Sequence, residues 1–230
     1  MPTIAFASSK GGVGKSTSAV LLATELAGRG ASGTIIDADP NQPVTRWSRK
    51  PGRPDKLTVI GVTEETLIDT IDEAARRTTF VIIDLEGSAS LMVAQAMSRA
   101  DLVIIPTQGS ELDAIEALKV IKFIGRQEKV YQKTIPYGVL FTKTSPAVRP
   151  RTLRSLEQDM LQQGIPLFGT ALNERDAFRA IFSFGGTLSG LDPNAVSNVP
   201  AALNNARQFV AETIGMLKQQ GTAAQRAEVA

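Results

Sequence analysis

The stretch that most constrains this chain is Lys10-Gly-Gly-Val-Gly-Lys-Ser-Thr17. An apolar run, Thr3-Ile-Ala-Phe-Ala7, precedes it, and Ser18-Ala-Val-Leu-Leu-Ala-Thr-Glu-Leu-Ala27 follows. The first reads as a short buried strand and the second as a helix with an apolar face. Strand, glycine-rich turn and helix together form the context of a phosphate-binding loop. Gly11, Gly12 and Gly14 let the backbone curl until successive N–H groups, including that of Val13, point into one concavity. The positive end of the following helix then faces the anion. Lys15 is placed to reach β- and γ-phosphates, and the Ser16 hydroxyl, backed by Thr17, to meet Mg²⁺. A fold built on this loop needs a strand that ends where a helix begins.

Composition narrows the chemistry further. Among 230 residues there is no cysteine and no histidine. That excludes disulfides, thiol nucleophiles, iron–sulfur ligation, histidine-bound zinc and imidazole acid–base catalysis. Carboxylates, lysines, hydroxyls, backbone amides and a borrowed metal remain. A net charge of +2 confines any nucleic-acid surface to a local patch. No stretch nears the length of a membrane span, and no basic, then hydrophobic, segment opens the chain, so the expected location is the cytoplasm.

Further along, Gly33–Asp37 reads as a strand, and Pro40 in Asp37-Ala-Asp39-Pro40-Asn41-Gln42 turns the chain out of it. Arg46 and Trp47 fall on a short helix or loop, with Trp47 expected in the core. Leu57–Gly61 is a weaker strand, and 64–77 an amphipathic helix carrying Leu67, Ile68 and Ile71. Phe80–Asp84 is a continuous apolar run ending on an acid, as suits a strand buried on both faces. Ser88–Arg99 reads as helix and Leu102–Pro106 as strand. Residues 111–128 read as a long helix with Leu112, Ile115, Leu118, Ile121 and Ile124 on one stripe. Strands are expected at 135–141 and 165–168, and helices at 151–163, 173–184 and 201–219. The alternation predicts one α/β domain over residues 1–220, a P-loop NTPase with a mostly parallel, twisted sheet and helices on both faces. Residues 221–230 are expected to fray.

In such sheets ligands sit at the carboxyl ends of the strands, where Asp39, Asp84 and the glycine loop all fall. Asp84 is the natural Walker B acid for Mg²⁺; the alternative is a strand-end aspartate capping the next helix. Glu86, two residues on, is a candidate to assist the metal or its water.

The loop departs from the common G-x-x-x-x-G-K-[ST] pattern, with Ser9 where that pattern has glycine and a second lysine, Lys10, before the glycine pair. This form resembles the deviant Walker A motif of the ParA/MinD family of ATPases. The resemblance extends to Asp37–Gln42, to Ala100–Thr107, and to Asn173–Phe178 with Phe184–Leu188. The stretch Asp39–Trp47, with Thr45-Arg46-Trp47, is similar to VirC-type ParA relatives of T-DNA processing. The first strand begins at residue 3, which looks like the short ParA form, without a helix-turn-helix extension.

The resemblance implies catalytic roles for Lys10, Lys15 and Asp39. Lys10 crosses a nucleotide-sandwiched dimer to the partner's ATP, and Asp39 orients the attacking water. Asp37 sits near the Mg²⁺ held by Ser16 and Asp84, or else serves as a helix or turn cap. It also implies ATP and Mg²⁺ as cofactors, slow hydrolysis until a ParB-like or cargo adaptor stimulates it, and a homodimer that binds DNA non-specifically on the nucleoid. Lys143, Arg149, Arg151 and Arg154 lie in a stretch free of acids from 129 to 156 and are the candidate DNA contacts, extended by Arg175 and Arg179. The competing expectations are a MinD-like membrane-cycling regulator and a metabolic P-loop enzyme that uses ATP. The first is disfavoured because 218–230 offers almost no bulky apolar face, and the second leaves Lys10 without a role. Thr142-Lys143-Thr144 lacks the asparagine and aspartate of a guanine reader.

Overall fold

Strands with β-branched or aliphatic residues at nearly every position can be buried only from both sides at once. The computed structural model, which describes residues 1–87, 90–148 and 150–228 (221–228 by backbone alone), places them accordingly. The strands are β1 (Thr3–Phe6), β2 (Gly33–Ala38), β3 (Leu57–Gly61), β4 (Phe80–Leu85), β5 (Leu102–Thr107), β6 (Tyr137–Thr144) and β7 (Leu172–Asn173). Among the described residues they form one sheet in the order β3-β2-β4-β1-β5-β6-β7, and every pairing is parallel. β1, which feeds the glycine loop, lies in the middle.

Successive side chains of a strand point to opposite faces, and two cores result. Ile4, Phe6, Ile35, Ile82 and Ile104 pack on one face under α1 (Lys15–Gly28), α2 (Pro43–Ser48), α7 (Asp176–Phe184) and α8 (Val199–Glu228). Ala5, Ala7, Ile36, Val81, Ile83 and Val103 pack on the other under α3 (Leu67–Arg77), α4 (Leu91–Arg99), α5 (Glu111–Tyr131) and α6 (Arg151–Gln162). Trp47 is buried in the first core, and its Nε1 donates to the Gly186 carbonyl at 3.1 Å.

Four expectations change. The stripe on α5 is not Leu112-Ile115-Leu118-Ile121-Ile124: the buried face is Asp113, Ala114, Ala117, Val120 and Ile124. Leu112 is 73% exposed and Ile115 45%. A strict spacing of three slips by about 60° per step on a helix of 3.6 residues per turn, so that stripe winds off the core. Residues 165–168 are not a strand but touch the sheet at one bridge, Val139 to Leu167, because Pro166 has no N–H to continue a ladder. The edge strand is β7, from residues expected to begin a helix, and α7 starts only at Asp176. Finally, α8 continues past Gln219 to Glu228. Ser88, expected to open the helix before Arg99, lies outside the described residues.

Candidate functional site

The glycine loop leaves β1 and enters α1 with Gly12 at φ 75° and Gly14 at φ 97°, the left-handed region in which a side chain would be strained. Gly14 is the residue before α1, and no side chain caps that helix end. The first N–H groups of α1 therefore face the loop's concavity unclaimed by a cap, as an anion site requires. Lys15 is 7% exposed at the foot of the cleft.

That cleft has a volume of about 540 Å³ and runs from the glycine loop past Asp39, Pro40 and Glu86 to Thr142, Lys143, Asn173, Arg175 and Phe178. One end gathers loop amides, Lys15 and Ser16, which suit a polyphosphate. The lining also includes the apolar side chains of Leu172 and Phe178, which suit a planar base. Three of the loop's carbonyls are held by protein donors. Gly12 accepts from Gln108 Nε2 at 3.4 Å, Val13 from Thr142 Oγ1 at 2.7 Å, and Gly14 from Ser18 N–H at 2.9 Å.

Three carboxylates take different parts. Asp84, at the end of β4, is fully buried, and neither of its oxygens has a hydrogen-bond partner of acceptable geometry. Burial pushes its pKa up to about 7, even though Ser16 and Lys15 nearby pull it down. Asp37, also buried, accepts the Thr45 N–H at 2.7 Å through Oδ2 and so ties the first turn of α2; burial raises its pKa as well. Asp39 is half-buried in the cleft wall, where its Oδ1 accepts the Asn41 N–H at 2.8 Å.

Two orphaned oxygens on a buried carboxylate are a costly arrangement unless a cation or its water completes it. Asp84 beside the Ser16 hydroxyl therefore fits Mg²⁺. No group of three or more acidic residues forms a metal cage among the described residues. Mg²⁺ binds in that manner, through one or two protein oxygens while substrate phosphates and waters supply the rest.

Lys10 is absent from its own cleft. Its Nζ lies 2.5 Å from Asp113 Oδ1 in the first turn of α5, and the Asp113 side chain is only 4% exposed. The Ser110 hydroxyl donates to the other Asp113 oxygen at 2.5 Å and also accepts the Asp113 N–H. Burial works against ionisation of Asp113, but the Lys10 ammonium and the Ser110 hydroxyl outweigh it and hold the carboxyl below the usual range. Next to it, Ser9 Oγ donates to Glu116 Oε2 at 2.7 Å.

The match to a family model described as VirC1 protein runs over residues 1–218. The chain belongs to the VirC1 family. A Protein ParA of Rhizobium radiobacter is 39% identical to this VirC1-family chain over 210 residues, covering 91% of the chain and 94% of the relative. A Protein virC1 of Rhizobium rhizogenes is 30% identical over 187 residues, covering 79% and 80%. Its fold is that of a solved Cyanothece McdA(D38A)–ATP complex, with a TM-score of 0.73 at 17% identity over 94% of this chain and 96% of that one. The family is thus of the ParA/MinD type of P-loop proteins.

The six basic candidates separate in the structure. Lys143, at φ 52°, lines the cleft together with Arg175 and Arg179. Arg175 donates to Asn173 Oδ1 at 3.2 Å with its Nε buried, and Arg179 pairs with Glu174 at 2.8 Å. Arg151 and Arg154 are exposed on α6, Arg154 beside a second groove with Ser145, Thr170 and Gln208. Arg149 lies outside the described residues. Sequence reasoning missed Asp113 and Thr142. For Asp113 the one available signal is the Ser110-x-x-Asp113 spacing of a helix start; Thr142, on a strand far from the loop in sequence, had none.

Proposed function

We propose that this chain is an ATP-dependent positioning ATPase whose ATP-bound form is a homodimer. ATP occupies the cleft with its phosphates on Gly11–Thr17 and Lys15, and Ser16 and Asp84, with Asp37 behind them, hold Mg²⁺. The ion offsets phosphate charge, while Asp39 holds the attacking water in line. The DNA-binding face is α6, with Arg151 and Arg154, and Arg149 and Lys143 adjoin it in sequence. Contacts there are to phosphates, so binding is independent of sequence. Hydrolysis is slow until an adaptor protein improves the geometry, and release from DNA follows. Among the described residues no helix is long and apolar enough to cross a membrane. The proposed cycle runs on the nucleoid in the cytoplasm.

One observation carries this reading: Lys10, a lysine of the phosphate loop, stands outside its own cleft, 45% exposed on Asp113. A cation so placed serves a triphosphate most directly across an interface, in a second copy. Leu112 and Ile115, exposed on the same helix as Asp113, supply apolar surface for that contact.

The test is light scattering after size exclusion, with a slowly hydrolysed ATP analogue and Mg²⁺, followed by a gel shift on DNA of unrelated sequence. The wild type is expected to dimerise and shift the DNA. Lys15→Ala loses nucleotide binding; Lys10→Ala binds nucleotide but stays monomeric. A wild type that remains monomeric with bound analogue, or a Lys10→Ala variant that dimerises normally, overturns the proposal.

A further inference from the structure

A peptide group points its C=O and the next residue's N–H in opposite directions. Whatever grips the carbonyl side of the glycine loop therefore aims its amides. Three successive carbonyls are gripped. The bond from Ser18 to Gly14 is the first turn of α1 itself, and the contact from Gln108 to Gly12 is long at 3.4 Å. The third is short and comes from across the fold: Thr142 Oγ1, at the end of β6, donates to Val13 O at 2.7 Å. Thr142 is 3% exposed, and Val13 is 2% exposed. Its hydroxyl also lies 3.1 Å from Thr107 O, but a hydroxyl has one proton, and the shorter contact takes it.

We propose that Thr142 is a positioning residue for anion binding: its hydroxyl fixes the Val13 carbonyl and thereby aims the Gly14 N–H into the phosphate cradle. The residue type fits the task. A β-branched side chain suits a strand and is stiff at χ1, so the hydroxyl is set in place before any ligand arrives. Gly14 is held at φ 97°, and a Cβ there would meet the Thr142 Cβ at 3.7 Å, an ordinary contact, so the loop's backbone conformation and not lack of space calls for glycine. Thr107 extends the arrangement, its own hydroxyl donating to the Asp113 carbonyl at 3.1 Å. The loop is thus tied at Val13 to the end of β6 through Thr142, and at Lys10 to the first turn of α5 through Asp113, which Thr107 of β5 holds in turn. Thr142 also lines the cleft, and the role proposed here is exerted through the loop backbone. The inference rests on the ATP reading above, though not on dimerisation or DNA binding.

Thr142→Val keeps the shape, removes the donor and leaves a buried carbonyl unpaired. Calorimetry with ATP and with ADP is expected to show the dissociation constants raised about tenfold, about 1.4 kcal/mol. Adenosine, which has no phosphate, should bind the variant and the wild type alike by ligand-observed NMR. Thr142→Ser should return ATP binding to within about twofold of wild type, since it restores the hydroxyl. If circular dichroism finds Thr142→Val unfolded, Thr142→Cys, close in volume and a weak donor, takes its place with an intermediate loss expected. Unchanged ATP and ADP affinity overturns the assignment. So does an equal loss for adenosine, which would mean a distorted cleft, or a Thr142→Ser variant as weak as Thr142→Val. A wild type that binds no ATP overturns the nucleotide reading together with this one.

Discussion

Lys10 and Asp113 show how one ion pair can decide what a motif does. The pair spans 103 positions in sequence and joins the phosphate loop to the first turn of α5. With Lys10 half in water, the contact adds little to stability, on the order of 1 kcal/mol or less. On the dimer proposal its larger consequence is competition, because a lysine bound to its own Asp113 is not free for a neighbour's phosphate. Asp113→Asn is therefore expected to dimerise with the ATP analogue at several-fold lower protein concentration, measured by analytical ultracentrifugation; weaker dimerisation would mean that Asp113 assists Lys10 after it crosses. Asp84 makes the opposite trade. Its raised pKa means that the folded chain binds more protons than the unfolded chain between about pH 4 and pH 7. Stability without metal should thus fall as pH rises through that window and level off above it. Asp84→Asn should flatten most of this slope, leaving what Asp37, also raised by burial, contributes, and stabilise the metal-free protein at pH 8 by on the order of 1–4 kcal/mol, while losing Mg²⁺-dependent nucleotide binding. Urea titrations in EDTA at pH 5 and pH 8 measure both effects.

At the scale of elements, α5 holds the most instructive disagreement between pattern and packing. Its large residues at strict spacing of three suggested one stripe, yet small residues, Ala114 and Ala117, face the sheet. Alanines there let α5 approach closely, and Leu112 and Ile115 are left outward. Leu112→Lys together with Ile115→Lys should leave monomer stability within about 0.5 kcal/mol, the usual range for exposed sites. The same change should abolish the ATP-dependent dimer, as light scattering would show; a severe loss of melting temperature would instead mean that these side chains belong to the core. α2 and α7 form a second coupled pair. Trp47 holds the Gly186 carbonyl, and Lys50 Nζ reaches the Phe182 and Ser183 carbonyls at the end of α7. The loop carrying Asp39 is thereby braced against the helix whose first turn lines the base end of the cleft.

For the whole molecule, the near-neutral net charge makes the location of the cations matter more than their number. The fold sends Lys143, Arg175 and Arg179 into the cleft and leaves Arg151 and Arg154 outside on α6. Arg151→Ala with Arg154→Ala should weaken DNA binding equally for unrelated sequences and reduce its salt slope by about 2, with nucleotide affinity unchanged. Fluorescence anisotropy across a salt series reads both quantities. The sequence by itself determined the parallel α/β architecture, the phosphate loop and the acids at the strand ends. Those signals are local: a glycine pattern, apolar runs long enough for one strand, and a helix that must follow. Only the tertiary structure decided that Lys10 rests on Asp113, that Thr142 grips the loop from behind, that Asp37 is occupied with α2 while Asp84 stands unpaired, and which face of α5 is buried. Each of these depends on how the order β4-β1-β5-β6 brings strand ends together. Neighbours in that order are far apart along the chain, so no spacing in the sequence could record which side chains would meet.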